Sequence, residues 1–194
     1  MRNLFSFVIL VTCSFSIFSC ATENRSYAAC APGVSKITGE GDSWVDPFGG
    51  HAGVGMDFRR KSNPLGFRTE VIGTVQGAKY EETNVSGKVQ FVYINLPLLL
   101  KYQKESRGFF AEAGVQPGIL ISAKDKYNGI TDDYKKSTES FDFGIPVGIG
   151  YEFQNKLGVG VRVVPGISNI NKGTNTDKDH NFLAVARFTY AFGK

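Results

Sequence analysis

The chain has 194 residues, 42% of them hydrophobic and 13% aromatic, with a formal net charge of +4 and three cysteines. That length suits one domain with a core of its own, and the modest charge, with no basic run longer than Arg59-Arg60-Lys61, gives nucleic acid no electrostatic footprint. A disulfide-stapled fold is excluded, because Cys13 and Cys20 lie in or at the end of a leader and only Cys30 is clearly beyond it.

The leader comes first. Arg2 precedes an apolar run over residues 4–18, shorter than the ~20 residues of a membrane helix. Ser19, Cys20 and Ala21 then offer small residues for cleavage. A basic start, a short apolar core and small residues read as an export signal over residues 1–21, leaving residues 22–194 as the mature domain. Lipoprotein processing at Cys20 is the rival reading, against which Phe18 is bulky. No later stretch is long and apolar enough for a transmembrane helix, so a spanning form must be a closed barrel, which satisfies its own backbone in lipid.

Strand periodicity then repeats along the chain. A first strand over residues 26–37 is the least sharply marked. Over residues 48–58, Ala52, Val54, Met56 and Phe58 oppose Gly53, Gly55 and Asp57. Phe67, Val71 and Val75 oppose Arg68, Glu70, Thr74 and Gln76. Val92, Ile94, Leu96, Leu98, Leu100 and Tyr102 form one stripe, and Phe109, Ala111, Ala113, Val115, Ile119 and Ile121 the next, against Glu112, Gly114, Gln116 and Gly118. Residues 141–153 are the clearest: Phe141, Phe143, Ile145, Val147, Ile149, Tyr151 and Phe153 alternate with Asp142, Gly144, Pro146, Gly148, Gly150 and Glu152. Residues 157–163 place Leu157 and three valines against Gly158, Gly160 and Arg162, and residues 182–192 place Phe188, Tyr190 and Phe192 opposite Arg187 and Thr189.

Glycine weakens a strand and has no advantage on a water-facing sheet surface. Inside a narrow closed barrel it leaves room for the neighbours. Large residues outside and glycine inside therefore predict an all-β fold, an up-and-down antiparallel transmembrane β-barrel of about eight strands. Connection lengths agree. Residues 60–65, 103–107 and 154–156 are short turns, whereas 38–47, 78–88, 123–140 and 168–180 are longer and polar, the periplasmic and extracellular pattern. Aromatics at strand ends (Phe58, Phe67, Tyr102, Phe109, Phe141, Tyr151, Phe153, Tyr190, Phe192) predict two interfacial girdles. Pro97, Pro117, Pro146 and Pro165 fall inside the strands, where a missing ladder donor predicts bulges.

The segment Tyr93-Ile94-Asn95-Leu96-Pro97-Leu98-Leu99-Leu100-Lys101-Tyr102 resembles the hallmark strand of the PorT-like outer-membrane β-barrel family of Bacteroidota. Gly77-Ala78-Lys79-Tyr80, Ala113-Gly114 to Gly118, Leu120-Ile121-Ser122-Ala123-Lys124 and Gly148-Ile149-Gly150-Tyr151-Glu152-Phe153 resemble its neighbouring strands. Cys30-Ala31-Pro32 and Gly193-Lys194 depart from its pattern. The resemblance implies a fold and a location in the bacterial outer membrane, and no shared activity.

Parity sends Asp57, Arg68, Glu70, Lys101, Glu112, Asp142, Glu152, Arg162 and Arg187 inward. Burying charges unpaired is costly, and four cations against five anions predict an interlocked ion-pair network that plugs the lumen. A narrow selective conduit is the alternative use of the same ring. Asp132 and Asp133 with Asp177, Asp179 and His180 resemble a loop hydrolase site only loosely, and solvated loop charge is the better reading. His51 has no serine partner two residues away, and neither histidine pairs with another histidine or a cysteine, so no metal or cofactor is expected. Trp44 reads as a locally packed loop aromatic, and the basic turn rim (Arg59, Arg60, Lys61, Lys104, Arg107, Lys156) as attracted to anionic head groups or simply solvated.

The expected function is a non-enzymatic outer-membrane barrel with a plugged lumen, acting structurally or through its loops. Its expected partners are outer-membrane lipid, the barrel-assembly machinery through the C-terminal aromatic strand, and envelope proteins at the long loops. The alternatives are a soluble or lipid-tethered lipocalin-like barrel, with Phe143, Ile145, Val147 and Ile149 lining a pocket for an apolar ligand, and an outer-membrane hydrolase using loop Asp and His residues.

Overall fold

Side chains alternate across a strand, and burial in this chain alternates with them. In β3 (Leu65–Glu82), Arg68, Glu70, Ile72, Thr74, Gln76 and Ala78 are buried, while Phe67, Val71 and Val75 are exposed. In β10 (Leu157–Pro165), Arg162 and Val164 are buried, while Leu157, Val159, Val161 and Val163 are exposed. A sheet with its large apolar residues facing away from its own interior is built for a non-aqueous surrounding.

The computed structural model describes residues 22–39, 44–60, 62–82, 85–127, 130–133, 135–172 and 178–192. Its remaining strands are β1 (Thr22–Thr38), β2 (Trp44–Arg60), β4 (Val85–Asn95), β5 (Leu98–Tyr102), β6 (Gly108–Tyr127), β7 (Ile130–Asp133), β8 (Phe141–Gly144), β9 (Val147–Glu152) and β11 (His180–Phe192). β4 and β5 lie end to end beside β3 and β6, and β7, β8 and β9 lie end to end along β6. The wall therefore has eight staves: β1, β2, β3, β4–β5, β6, β7–β8–β9, β10 and β11. Every pairing between them is antiparallel, and the barrel closes where β1 meets β11, from Ser26 opposite Phe192 to Thr38 opposite His180.

The prolines act differently from the sequence expectation. Pro97 separates β4 from β5 and Pro146 separates β8 from β9, whereas Pro117 lies within β6 and Pro165 ends β10. The register shifts fall elsewhere, between Gly33 and Ser35 and between Val92 and Tyr93. Each proline lacks a donor but keeps its acceptor. The carbonyls of Pro97, Pro117, Pro146 and Pro165 accept from the amides of Glu70, Leu96, Gly114 and Ile145 at 2.9–3.1 Å, so the wall stays joined without a bulge there.

Three further expectations are corrected. The first strand is longer than residues 26–37, and residues 78–82, 85–88, 123–127 and 130–133, read as loop, are strand. These extensions rise above the apolar belt and carry polar residues on the outer face, so the periodic signal fades while the backbone ladder continues. The aromatic girdle at the turn end consists of three clusters, Phe58 on Phe67, Tyr151 between Phe109 and Phe153, and Tyr190 on Phe192, with ring centroids 4.9–6.4 Å apart. At the loop end the described residues offer Phe48 and Phe141. The leader with Cys13 and Cys20, together with Glu40, Asp42, Lys61, Asp177 and the terminal Gly193-Lys194, lies outside the described residues, as does the side chain of Trp44.

Candidate functional site: the barrel lumen

All nine predicted inward charges are buried. Eight of them meet in the turn half of the lumen, and Arg68 of β3 is the hub. Its Nε and Nη2 donate to the two oxygens of Asp57 at 2.5 and 2.7 Å, a fork-on-fork pair. Its Nη1 donates to Glu112 at 2.7 Å and its Nη2 also to Glu152 at 3.1 Å. Lys101 of β5 donates to Asp57 at 2.9 Å and to Glu152. Arg162 of β10 grips Glu70 through both Nη atoms at 2.7 and 3.0 Å and reaches Glu112 at 2.5 and 2.8 Å. Arg187 of β11 donates to Glu70.

The ninth charge stands apart. Asp142 of β8 accepts from Ser168 at 2.5 Å and from Asn181 at 2.9 Å, and Asn181 also donates to the Tyr93 hydroxyl at 3.3 Å. A neutral hydrogen-bonded cluster, and not a cation, satisfies it.

Several lumen residues were not anticipated. Tyr27 of β1 donates to Glu70 at 2.6 Å, with Arg68 over its ring at 4.9 Å and Arg187 at 5.5 Å. Phe110 carries Lys101 at 4.7 Å and Arg68 at 5.1 Å over its ring. Gln103 donates to Glu152 at 3.3 Å. At the mouth Arg25 donates to Glu152 at 3.4 Å and to the Ser106 carbonyl at 2.8 Å. The available signal was complementary glycine. A Cβ on Gly150 would stand 2.5 Å from the Phe110 ring and one on Gly55 2.5 Å from the Tyr27 ring, so each aromatic occupies space that a glycine opposite it vacates. His51 of β2, also buried in the lumen, bonds through neither ring nitrogen among the described residues.

Above the charges two apolar clusters lie among buried polar groups such as Thr74, Asn95 and Asn181. Val89, Phe91, Tyr93, Leu120, Ala123 and Ile170 form one cluster, with Ile37 against it, and Ala31, Val164, Leu183 and Val185 form another. Cavities at the turn end hold about 20 and 10 Å³, room for about a single water each. Phe143, Ile145, Val147 and Ile149, which a lipocalin-like pocket needs inside, are not part of the lumen: Ile145, Val147 and Ile149 are exposed on the outer face. Asp132 and Asp133 lie on β7 against β6, whereas Asp179 accepts from Asn171 and the His180 ring bonds the Ser168 carbonyl. Among the described residues no group of three His, Cys, Asp or Glu side chains is placed to hold a metal.

A closed eight-stave barrel, greasy outside and charged within, belongs to the class of bacterial outer-membrane β-barrels. The chain is a member of the outer membrane protein beta-barrel domain family, whose profile matches residues 36–172. Its fold is similar to that of Neisserial surface protein A, at 15% identity and a TM-score of 0.55, covering 88% of this chain and 99% of that one. It is also similar to Ail, the attachment invasion locus protein of Yersinia pestis, solved with the heparin analogue sucrose octasulfate, at 13% identity and a TM-score of 0.49 over 87% and 99% of the two chains. A third similar structure is OprG from Pseudomonas aeruginosa, at 14% identity and a TM-score of 0.41 over 89% and 96%. No curated protein sequence matches the chain.

Proposed function

We propose that this protein is a non-enzymatic, PorT-like outer-membrane barrel whose lumen is a plug, and that it acts structurally or through its long loops in envelope interactions or assembly. Residues 1–21 act as its export signal. The aromatic face of β11, with Phe188, Tyr190 and Phe192, is the segment offered to the assembly machinery. The observation that carries the reading is the filling of the lumen: Arg68, Glu70, Glu112 and Arg162 bridge opposite walls across its turn half, and Phe91, Tyr93 and Leu120 fill its loop half. A small solute entering would have to displace buried charge pairs and packed rings together. Purified protein in planar lipid bilayers is expected to give no discrete conductance steps under salt on both sides. Stable steps of uniform size would refute the plug and favour the selective conduit.

A further inference from the structure

The turn end of the barrel carries a charge pattern separate from the lumen network. The Gln103 amide donates to the Pro64 carbonyl of the β2–β3 turn at 2.8 Å, and Arg107 donates to the Phe153 carbonyl at the end of β9 at 3.2 Å. Leu65 stands opposite Tyr102, and Gly108 opposite Glu152, so the β2–β3, β5–β6 and β9–β10 turns are neighbours around the rim. Arg60, Lys104, Arg107 and Lys156 therefore form one basic arc over three turns. Among the described residues none of the four is in an ion pair, and the arc faces one carboxylate, the exposed Glu105. Glu23, across the mouth, is held by Arg25 at 3.2 Å. The carbonyl that Arg107 meets satisfies a donor without neutralising the guanidinium.

Height identifies what meets this arc. Arg60 and Lys104 lie two residues beyond the girdle aromatics Phe58 and Tyr102, and Arg107 two before Phe109. At ~3.4 Å per residue and a strand tilt of about 40°, two residues rise about 5 Å. Girdle aromatics mark the edge of the hydrocarbon, and the head-group layer beyond them is about 5–8 Å deep. The cations therefore stand at the level of lipid phosphate, with the exposed Leu65, Phe67, Phe153 and Leu157 placed against acyl chains below. Short turns face the periplasm, so the lipid is a phospholipid of that leaflet. A zwitterionic head brings its own ammonium group to its phosphate, whereas a phosphodiester with an uncharged head leaves its anion to the charge-assisted hydrogen bonds of the protein.

We infer that Arg60, Lys104, Arg107 and Lys156 form a binding arc for a net-anionic glycerophospholipid, of the phosphatidylglycerol type, in the periplasmic leaflet. The inference rests on the outer-membrane placement and not on the plug, so a conducting lumen would leave it untouched.

The test is native mass spectrometry of the full-length protein in detergent, titrated with phosphatidylglycerol and phosphatidylethanolamine of matched acyl chains. Wild type is expected to prefer phosphatidylglycerol by about tenfold or more, because basic residues near a lipid surface add their attractions for an anionic head. That preference should shrink as salt is raised, which needs no variant to measure. The Arg60→Gln/Lys104→Gln/Lys156→Gln variant should lose it while keeping heat-modifiable gel mobility; Arg107 stays, because it also ties β6 to the end of β9. A Lys79→Gln/Lys126→Gln variant at the loop end should retain it. Equal binding of the two lipids, a preference insensitive to salt, or its retention by the folded triple variant would overturn the inference. Co-sedimentation of wild type with purified peptidoglycan sacculi, without a lipid preference, would overturn it in favour of a cell-wall partner.

Discussion

The two halves of the lumen solve one packing problem with opposite chemistry. At the turn end, Arg68, Arg162, Arg187 and Lys101 are locked to Asp57, Glu70, Glu112 and Glu152 by hydrogen bonds whose directions leave few alternative arrangements. At the loop end, Phe91, Tyr93, Leu120 and Ile170 fill the lumen mainly by contact, with a single hydrogen bond from Asn181 to the Tyr93 hydroxyl. The charged half depends on every partner being present, because losing one strands another in a medium that cannot solvate it. The apolar half depends on volume, and tolerates a change of shape if volume is kept. One closed sheet thus contains a directional region and a forgiving one.

The largest expected effect comes from the hub. Arg68→Ala leaves Asp57, Glu112 and Glu152 short of a cation and should cost about 3–5 kcal/mol, read as a lowered urea midpoint in detergent micelles. Truncation in the other half should cost about 3 kcal/mol for Phe91→Ala. A sharper contrast is conservative replacement. Arg68→Lys, which keeps charge but loses the fork, should cost more than about 2 kcal/mol, while Phe91→Leu should cost about 1 kcal/mol. Equal losses for that pair would break the comparison. Between those two, Tyr27→Phe removes a donor to the charged Glu70 and should cost about 1.5–2 kcal/mol. The smallest effect is expected for Tyr93→Phe, whose hydroxyl meets the neutral Asn181 at 3.3 Å, at about 0.5–1 kcal/mol in the same unfolding assay.

Much of this was legible because a barrel wall has only two faces. The period of two assigned all nine charges to the lumen, and glycines such as Gly148, Gly150 and Gly160 identified the inner face where no apolar pattern could. What parity does not carry is height. Asp142 shares its face with Glu152, yet it lies ten positions nearer the loop end of the stave and is satisfied by Ser168 and Asn181 instead. Tyr27 and Phe110 were missed for a related reason. An inward aromatic reads as an exception to the pattern until the glycine facing it is identified, and that facing depends on register between strands remote in sequence. The strand extensions were missed because lysines such as Lys79, Lys88, Lys124 and Lys126 replace the apolar outer stripe there, so no apolar alternation remains to read.

The remoteness of the lumen partners also governs how the chain can fold. Arg68 and Glu152 are separated by 84 positions, Arg162 and Glu70 by 92, Arg187 and Glu70 by 117, and Tyr27 and Arg187 by 160. The β2–β3 hairpin can pair Arg68 with Asp57, 11 positions apart, but Glu70 and Glu152 wait for partners from remote strands. A half-built sheet presents naked carboxylates or guanidinium groups along its inner face, and it becomes electrically complete only when β11 reaches β1. Contacts this distant form late. The ion-pair core therefore works as a completion check: an open, partly inserted sheet leaves Glu70 without Arg162 and Arg187 until β10 and β11 are in place.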